Sequence, residues 1–138
     1  MSQLVVFGLG REEYALPIEQ VQEIIRAVEP RTLPHADPGL LGVINLRGLT
    51  IPVFDLALVL GGGPQEGDGK IIVVEGQGQR VGIVVDEVSE VLTVSDQQLE
   101  EPPVGDPRLS AIAKVDERLI VLVDPNALLG SLSLELAA

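Results

Sequence analysis

Short runs of apolar, often β-branched residues recur along the chain, separated by glycine, proline and acidic residues. Turn-like sequences join three pairs of these runs, which is the pattern of β-hairpins. The predicted pairs are Gln3–Leu9 with Tyr14–Ile18, Lys70–Glu75 with Arg80–Val85, and Leu109–Val115 with Leu119–Val123. Many short strands without a long helix indicate an all-β barrel or a pair of barrels.

Two stretches fit both a helix and a strand. Apolar residues within 21–28 recur at helical spacing, which would turn Glu23 away from the apolar stripe, but their β-branching favours a strand equally. The sequence here predicts a helical turn that gives way to a strand. The stretch after Asp86 fits a short helix capped by Asp86 or an alternating strand, and both alternatives stay open.

Glycine and proline mark the predicted connections. Three prolines between residues 30 and 38 predict an irregular segment, and 102–107 predicts another loop. The glycine-rich run Gly61–Gly69 predicts a loop without the Lys-Ser or Lys-Thr pair of a phosphate-binding P-loop. Asp124 followed by Pro125 predicts the start of a helix over Asn126–Leu129, with weaker helix beyond it.

The stretch Gly42–Leu56 contains one cation, Arg47, in an otherwise apolar run with two glycines and a proline. A guanidinium in an apolar setting needs a carboxylate or carbonyl partner. The sequence therefore predicts a specific partner for Arg47.

Composition narrows the classes of function. The 138 residues predict one domain, whose 9 basic and 21 acidic residues give a formal charge of −12. That charge repels nucleic acid and anionic lipid, and two Phe with one Tyr offer little for bases to stack on. No cysteine is present. The start of the chain lacks a secretory signal, so we expect a cytoplasmic protein that does not insert into the membrane.

The residues that support catalysis or metal binding are few. His35 is the single histidine and no cysteine could complete a zinc site with it. No serine lies in the Gly-x-Ser-x-Gly pattern of a nucleophile elbow. Asp86, Glu87 and Glu90 lack the ligand spacing of a calcium loop. We therefore expect no catalytic residue, no metal and no cofactor.

Four ordered blocks of the chain closely resemble the CheW family, the coupling proteins of bacterial chemosensory arrays. The central block is Gly42–Gly48 followed by Ile51–Leu56, and the others are Tyr14–Ile18 with Val21–Ile24 and Leu33–Pro34, then Val81–Leu92, then Leu119–Asp124. Together they cover nearly the whole chain. Ordered blocks at compatible spacings are far more specific than a single short motif.

The resemblance implies a single CheW-like domain over residues 1–138, made of two intertwined, SH3-like, five-stranded β-barrels with short helices and a shared seam. It also implies a non-catalytic adaptor that couples the cytoplasmic tips of chemoreceptors to the histidine kinase CheA. The same resemblance fits a regulatory domain of a larger signalling protein of the CheA or CheV type. Met1 and the lack of an appended kinase or receiver pattern favour a free-standing coupler. A third alternative, a small-molecule-binding barrel, would require a closed polar pocket.

The resemblance also carries residue roles to this chain. The positions that match partner-contact positions of the family are Val21, Gly42, Arg47, Gly82, Val88 and Val91, and Glu23 with Arg47 matches a charge pair. Each has a plainer alternative: the valines fit an ordinary core, and the glycines fit β-bulges instead of close approach by a partner backbone. Arg47 would pair with Glu23 or Asp55, to hold a strand in place, to shape the binding groove, or both.

Overall fold

The computed structural model describes residues 1–32, 39–60, 69–76, 78–102 and 105–136. The strands of this part of the chain are β1 (Ser2–Leu9), β2 (Glu12–Pro17), β3 (Val21–Arg26), β4 (Leu40–Leu46), β5 (Leu49–Asp55), β6 (Lys70–Gly76), β7 (Gln79–Val85), β8 (Glu87–Val94), β9 (Leu99–Glu100), β10 (Leu109–Val115) and β11 (Arg118–Val123). The α-helices are α1 (Leu56–Val59) and α2 (Pro125–Leu136). The prediction of an all-β fold with short helices is confirmed.

The first sheet has the strand order β8-β1-β2-β11-β10-β9, and we call it barrel 1. Its two edge strands follow each other along the chain, because β8 runs into β9 through the single 3-10 turn Asp96–Gln98. Chain continuity therefore joins the two edges. The sheet has six strands instead of the predicted five because this turn interrupts the chain between β8 and β9, which lie at opposite edges.

The second sheet has the order β3-β6-β7-β5-β4, and we call it barrel 2. The chain that follows β3 returns to the opposite edge at β4. There the Arg31 N–H donates to the Val43 carbonyl at 2.8 Å, and the Val43 N–H donates to the Arg31 carbonyl at 2.9 Å. This bridge closes the second sheet and satisfies backbone groups that an open edge would expose.

The two barrels are interleaved along the chain. The hairpin β1–β2 pairs with strands from the end of the chain, through β1 with β8 and through the parallel pair β2 with β11. All of barrel 2 lies between β2 and β8 in sequence. This arrangement matches the intertwined barrels that the resemblance implies.

Each barrel has its own apolar core, and a third cluster draws on both. Barrel 1 encloses Leu4, Val6, Ala15, Val94, Ala113, Ile120 and Leu122. Barrel 2 encloses Ile44, Ile51, Val53, Ile71, Val73 and Val84. The third, which we call the seam cluster, contains Phe7, Leu9, Leu16, Leu40, Phe54, Leu56, Ile72, Val74, Val81, Ile83, Val85, Val123, Leu128 and Leu129. Burial of a shared apolar surface holds two barrels together that are each small.

Aspartates cap both α-helices. The Asp124 Oδ1 accepts hydrogen bonds from the N–H groups of Asn126 at 3.0 Å and Ala127 at 3.3 Å, which confirms the predicted helix start. The Asp55 Oδ1 caps α1 in the same way, by accepting from Ala57 at 3.1 Å and Leu58 at 3.4 Å. The four residues of α1 are too few to show a helical periodicity, so this helix could not be predicted from the sequence pattern.

All three predicted hairpins are confirmed, as β1–β2, β6–β7 and β10–β11. A helical turn followed by a strand is present, but the turn is the 3-10 turn Ile18–Gln20, and the helical spacing within 21–28 is wrong because Val21–Arg26 is the strand β3. Of the two alternatives after Asp86, the alternating strand is correct, because β8 begins at Glu87. The predicted connections around Pro34, His35 and Pro38, and most of Gly61–Gly69, lie outside the described residues.

Candidate functional site

Arg47 lies in the two-residue turn that joins β4 to β5. Its φ is 51° and that of Gly48 is 84°, and two successive left-handed residues are typical of a type I′ hairpin turn. The Asn45 Oδ1 accepts from the Gly48 N–H at 2.9 Å and fixes the turn. The side chain of Arg47 is 75% exposed, so the expectation of an arginine in an apolar setting is wrong: the turn carries it to the surface.

The guanidinium of Arg47 forms a bidentate ion pair with Glu23. Its Nη1 donates to Oε1 at 2.5 Å and its Nη2 donates to Oε2 at 2.8 Å. These hydrogen bonds raise the pKa of Arg47. Glu23 lies on β3 and Arg47 follows β4, so the pair joins the two edge strands of barrel 2. Asp55, the other predicted partner, instead caps α1.

The strand conformation of β3 corrects the orientation that helical spacing gave to Glu23. In a strand, alternate side chains share a face, so Glu23 lies on the face of Ile25, which packs against the core of barrel 2. Ile24 lies on the other face and is 41% exposed. Glu23 is therefore turned towards the end of the barrel, where its side chain is 24% exposed and meets Arg47.

The two glycines among the predicted site residues are buried. Gly42 has a φ of +148°, and a Cβ there would lie 2.2 Å from the carbonyl oxygen of Arg31, at the bridge that closes barrel 2. A Cβ on Gly82 would lie 2.9 Å from Ile71 Cγ2 and 3.3 Å from Val53 Cγ2. The chain's own atoms occupy both spaces, so close packing within barrel 2 accounts for these glycines. A partner backbone does not fit there.

Two of the three valines lie at the border of the seam cluster. Val21 of β3 and Val88 of β8 are half-buried and pack against the cluster from the two different sheets. Val91, three residues further along β8, is 53% exposed. Val21 and Val88 therefore contribute to the apolar core, as the alternative to partner contact expects. Val91 instead presents its side chain to solvent.

Sequence reasoning missed an ion network at the end of barrel 1. Arg118 donates to Glu13 through Nε at 3.0 Å and Nη2 at 2.7 Å, and to Glu90 through Nη1 at 2.8 Å. It joins β11, β2 and β8, raises its own pKa through these bonds, and lowers the pKa of Glu13. The three residues are far apart in sequence, so no local spacing could have identified the network.

A second contact that the sequence did not predict links the two barrels. Arg108, just before β10, donates through Nη1 to the carbonyl of Val59 at the end of α1, at 2.9 Å. Asp106 holds the same guanidinium through bonds to Nε at 3.1 Å and Nη2 at 2.9 Å, and these bonds lower the pKa of Asp106. A cation at a helix C-terminus also interacts favourably with the last carbonyls.

The described residues include no group of three or more histidine, cysteine, aspartate or glutamate side chains placed to hold a metal ion. Within the same part of the chain, no helix has the length and apolar character needed to cross a membrane. The cleft beside the β4–β5 turn, of about 360 Å³, is open to solvent and lined in part by Leu49, Pro52, Glu75 and Arg80. It is not the closed polar pocket that a small-molecule-binding barrel requires.

Two interleaved small barrels around a shared apolar cluster define an all-β double-barrel domain. The chain belongs to the family described as the CheW-like domain, whose sequence model matches residues 3–133. It is 34% identical to the probable chemotaxis protein CheW of Rhizobium etli, over 98% of this chain and 92% of the relative. It is also 34% identical to the chemotaxis protein CheW of Bacillus subtilis, over 93% of this chain and 86% of that relative.

A solved structure agrees with this assignment. The crystal structure of the scaffolding protein TtCheW from Thermoanaerobacter tengcongensis superimposes with a TM-score of 0.85 at 35% sequence identity. The match covers 92% of this chain and 86% of TtCheW. The family and the double-barrel fold are therefore established for this chain by both sequence and structure.

Proposed function

We propose that this chain is a scaffold that couples chemoreceptors to the histidine kinase CheA in a bacterial chemosensory array. The observation that carries the proposal is membership of the CheW-like family over residues 3–133, together with similarity to proteins named as chemotaxis and scaffolding proteins. An adaptor acts by binding two partners at once, so its function requires exposed contact surfaces and no reacting groups.

The receptor surface in this proposal follows the border of the seam cluster. Val91 supplies an exposed aliphatic contact on β8, and Val21 and Val88 contribute half-buried aliphatic side chains that pack against the cluster. Gly42 and Gly82 act beneath the surface, because they let the strands of barrel 2 approach closely. The Glu23–Arg47 pair fixes the β4–β5 turn relative to β3, and thereby the shape of this border.

A matched pair of variants tests the receptor surface. Val91→Asp and Leu119→Asp each place one carboxylate on an exposed strand position, since the two side chains are 53% and 60% exposed. Each purified protein is sedimented with membranes that contain chemoreceptors. We expect Val91→Asp to weaken receptor binding at least tenfold, because an unpaired carboxylate would be desolvated in the contact. We expect Leu119→Asp to bind like the wild type.

Circular dichroism establishes that both variants are folded before binding is compared. Equal receptor binding by Val91→Asp and the wild type would exclude Val91 from the contact. Absence of wild-type binding to both receptors and CheA at micromolar concentrations would contradict the proposed function itself.

A further inference from the structure

Four of the nine cations of this acidic chain form no ion pair with the described residues. Nine residues are lysine or arginine, and 21 are aspartate or glutamate. Five of the nine form ion pairs: Arg47, Arg80, Arg108, Lys114 and Arg118. The other four, Arg11, Arg26, Arg31 and Lys70, form no ion pair within the described part of the chain, although carboxylates outnumber cations more than twofold. Of these four, Arg26 and Lys70 are partners in the register of one sheet.

Arg26 and Lys70 lie directly opposite each other in the sheet. Arg26 is the last residue of β3 and Lys70 the first residue of β6, and the antiparallel register pairs them. Like charges at directly opposed positions of a sheet destabilise it. The fold therefore holds two cations side by side at a cost, with no described anion between them.

The two cations line an open cleft of about 520 Å³ together with Ala27, Gly69 and Asp86. We call it the cationic cleft. Asp86 follows β7, whose last residue pairs with Lys70, so the ends of three strands meet here. The Asp86 Oδ2 accepts from the Gly10 N–H at 2.5 Å and forms no ion pair with either cation. Among the described residues that line the cleft, two cations therefore face one carboxylate.

The cationic cleft continues an apolar strip at the border of the seam cluster. Ile24 is two residues before Arg26 and shares its face of β3. Ile24 pairs with Ile72, a member of the seam cluster, and is 41% exposed. Val21 packs against the same cluster at the other end of β3. Aliphatic residues of β3 are thus followed by Arg26 at the end of the strand, with Lys70 beside it on β6.

We propose that the cationic cleft binds a carboxylate side chain of the receptor segment that docks along β3, while an apolar side chain of that segment packs on Ile24. This inference rests on the proposed function, in which the receptor tip occupies the border of the seam cluster. Charge complementarity supports it: a net charge of −12 repels acidic partners overall, so an acidic contact needs a local cation pair. The planar guanidinium of Arg26 can bind a carboxylate through two hydrogen bonds, and the ammonium of Lys70 adds a third.

A double charge reversal tests the cleft. Arg26→Glu/Lys70→Glu changes one arginine and one lysine, and so does the control Arg31→Glu/Lys114→Glu, whose side chains lie outside the cleft. Receptor binding is measured by co-sedimentation at several salt concentrations. We expect the cleft variant to bind receptor at least tenfold more weakly, with a reduced salt dependence, and the control variant to bind like the wild type.

The other outcomes would overturn the inference. An equal loss in both variants would show that net charge alone matters, and no loss in the cleft variant would exclude the contact. Titration with inorganic phosphate is a further test. If the wild type binds phosphate and the cleft variant does not, while both bind receptor equally, the cleft is a site for small anions and not for the receptor. Wild-type protein that fails to bind receptor would refute the proposed function, a result distinct from these.

Discussion

At the scale of single residues, exposure decides what the Glu23–Arg47 pair can do. Arg47 is 75% exposed, and water screens a surface ion pair, so the pair contributes little to global stability. Its two hydrogen bonds nevertheless join the edges of barrel 2 and fix the direction of an exposed turn. The pair is therefore suited to shaping a surface, and the strong destabilisation expected for a buried pair does not apply to it.

Arg47→Ala should separate a role in global stability from a role in shaping the binding surface. We expect the urea midpoint to change little and receptor binding to weaken about tenfold, because the turn loses its contact with β3. Arg47→Lys should restore binding only in part, since lysine lacks the planar fork. Binding measured for Glu23→Ala, Arg47→Ala and the double variant gives the coupling between them. Full receptor binding by folded Arg47→Ala would contradict this role. Strictly additive losses in the double variant would show that Glu23 and Arg47 do not act together in receptor binding.

Gly42→Ala tests whether a glycine serves the chain itself. The added Cβ would clash with the Arg31 carbonyl, and the alanine would keep a strained φ of +148°, so we expect a loss of about 3 kcal/mol of stability. Gly10→Ala is the control: its φ is +61° but nothing lies within 4 Å of the added Cβ, so about 1 kcal/mol is expected. Urea unfolding measures both. Equal effects of the two substitutions would refute the close packing at Gly42.

At the scale of strands, the Arg118 network ties three elements of barrel 1 together. Hydrogen bonds from Arg118 lower the pKa of Glu13 in the folded protein below its ordinary value of 4.5. A lowered folded pKa means that the stabilisation is present above pH 4.5 and is lost as the pH falls through the folded value. The network should therefore stabilise the fold at neutral pH and cease to do so in acid.

Glu13→Gln tests the network. About one third of the Glu13 side chain is exposed, so we expect a loss of about 1 kcal/mol at pH 7. Below the folded pKa the variant and the wild type should become equally stable, because the wild-type carboxyl is then neutral too. Urea unfolding at a series of pH values from 7 to below 4.5 makes the comparison, with Glu75→Gln, whose pair with Arg80 is more exposed, as the control. A difference that does not shrink as the pH falls below 4.5 would contradict the role of charge.

The elements that could be predicted from sequence are those with local signals. Each confirmed hairpin has two β-rich runs and a short turn within about twenty residues. The parallel pairs β2 with β11 and β5 with β7 join distant segments, and no local periodicity encodes them. The resemblance to the CheW family supplied that topology instead.

The sequence predicts which residues belong to the candidate site better than it predicts where they lie. It predicts the Glu23–Arg47 pair, but the turn that exposes Arg47 depends on the register of β4 with β5. It also predicts that Gly42 is a site residue, but the contact of Gly42 with Arg31 depends on how barrel 2 closes. The cationic cleft brings together the ends of three strands and could not be seen before their register was known.

At the scale of the whole molecule, the seam cluster predicts one cooperative unfolding unit. Leu129 of α2 is fully buried within it, so Leu129→Ala should cost about 3 kcal/mol and destabilise both barrels together. Tyr14, the only tyrosine, packs against the cluster and reports by fluorescence, while circular dichroism reports on all strands. The two urea transitions should coincide. The control Leu119→Ala, at a position 60% exposed, should change stability by less than about 0.5 kcal/mol. Separate transitions would indicate barrels that unfold independently.

An adaptor that joins two partners should recruit CheA to receptor membranes. The kinase is sedimented with chemoreceptor-containing membranes in the presence and absence of the chain. We expect CheA to enter the membrane pellet in proportion to added chain until the receptor sites are saturated. Recruitment of CheA that does not depend on the chain, while the chain itself stays in the supernatant, would show that this chain does not couple the two partners.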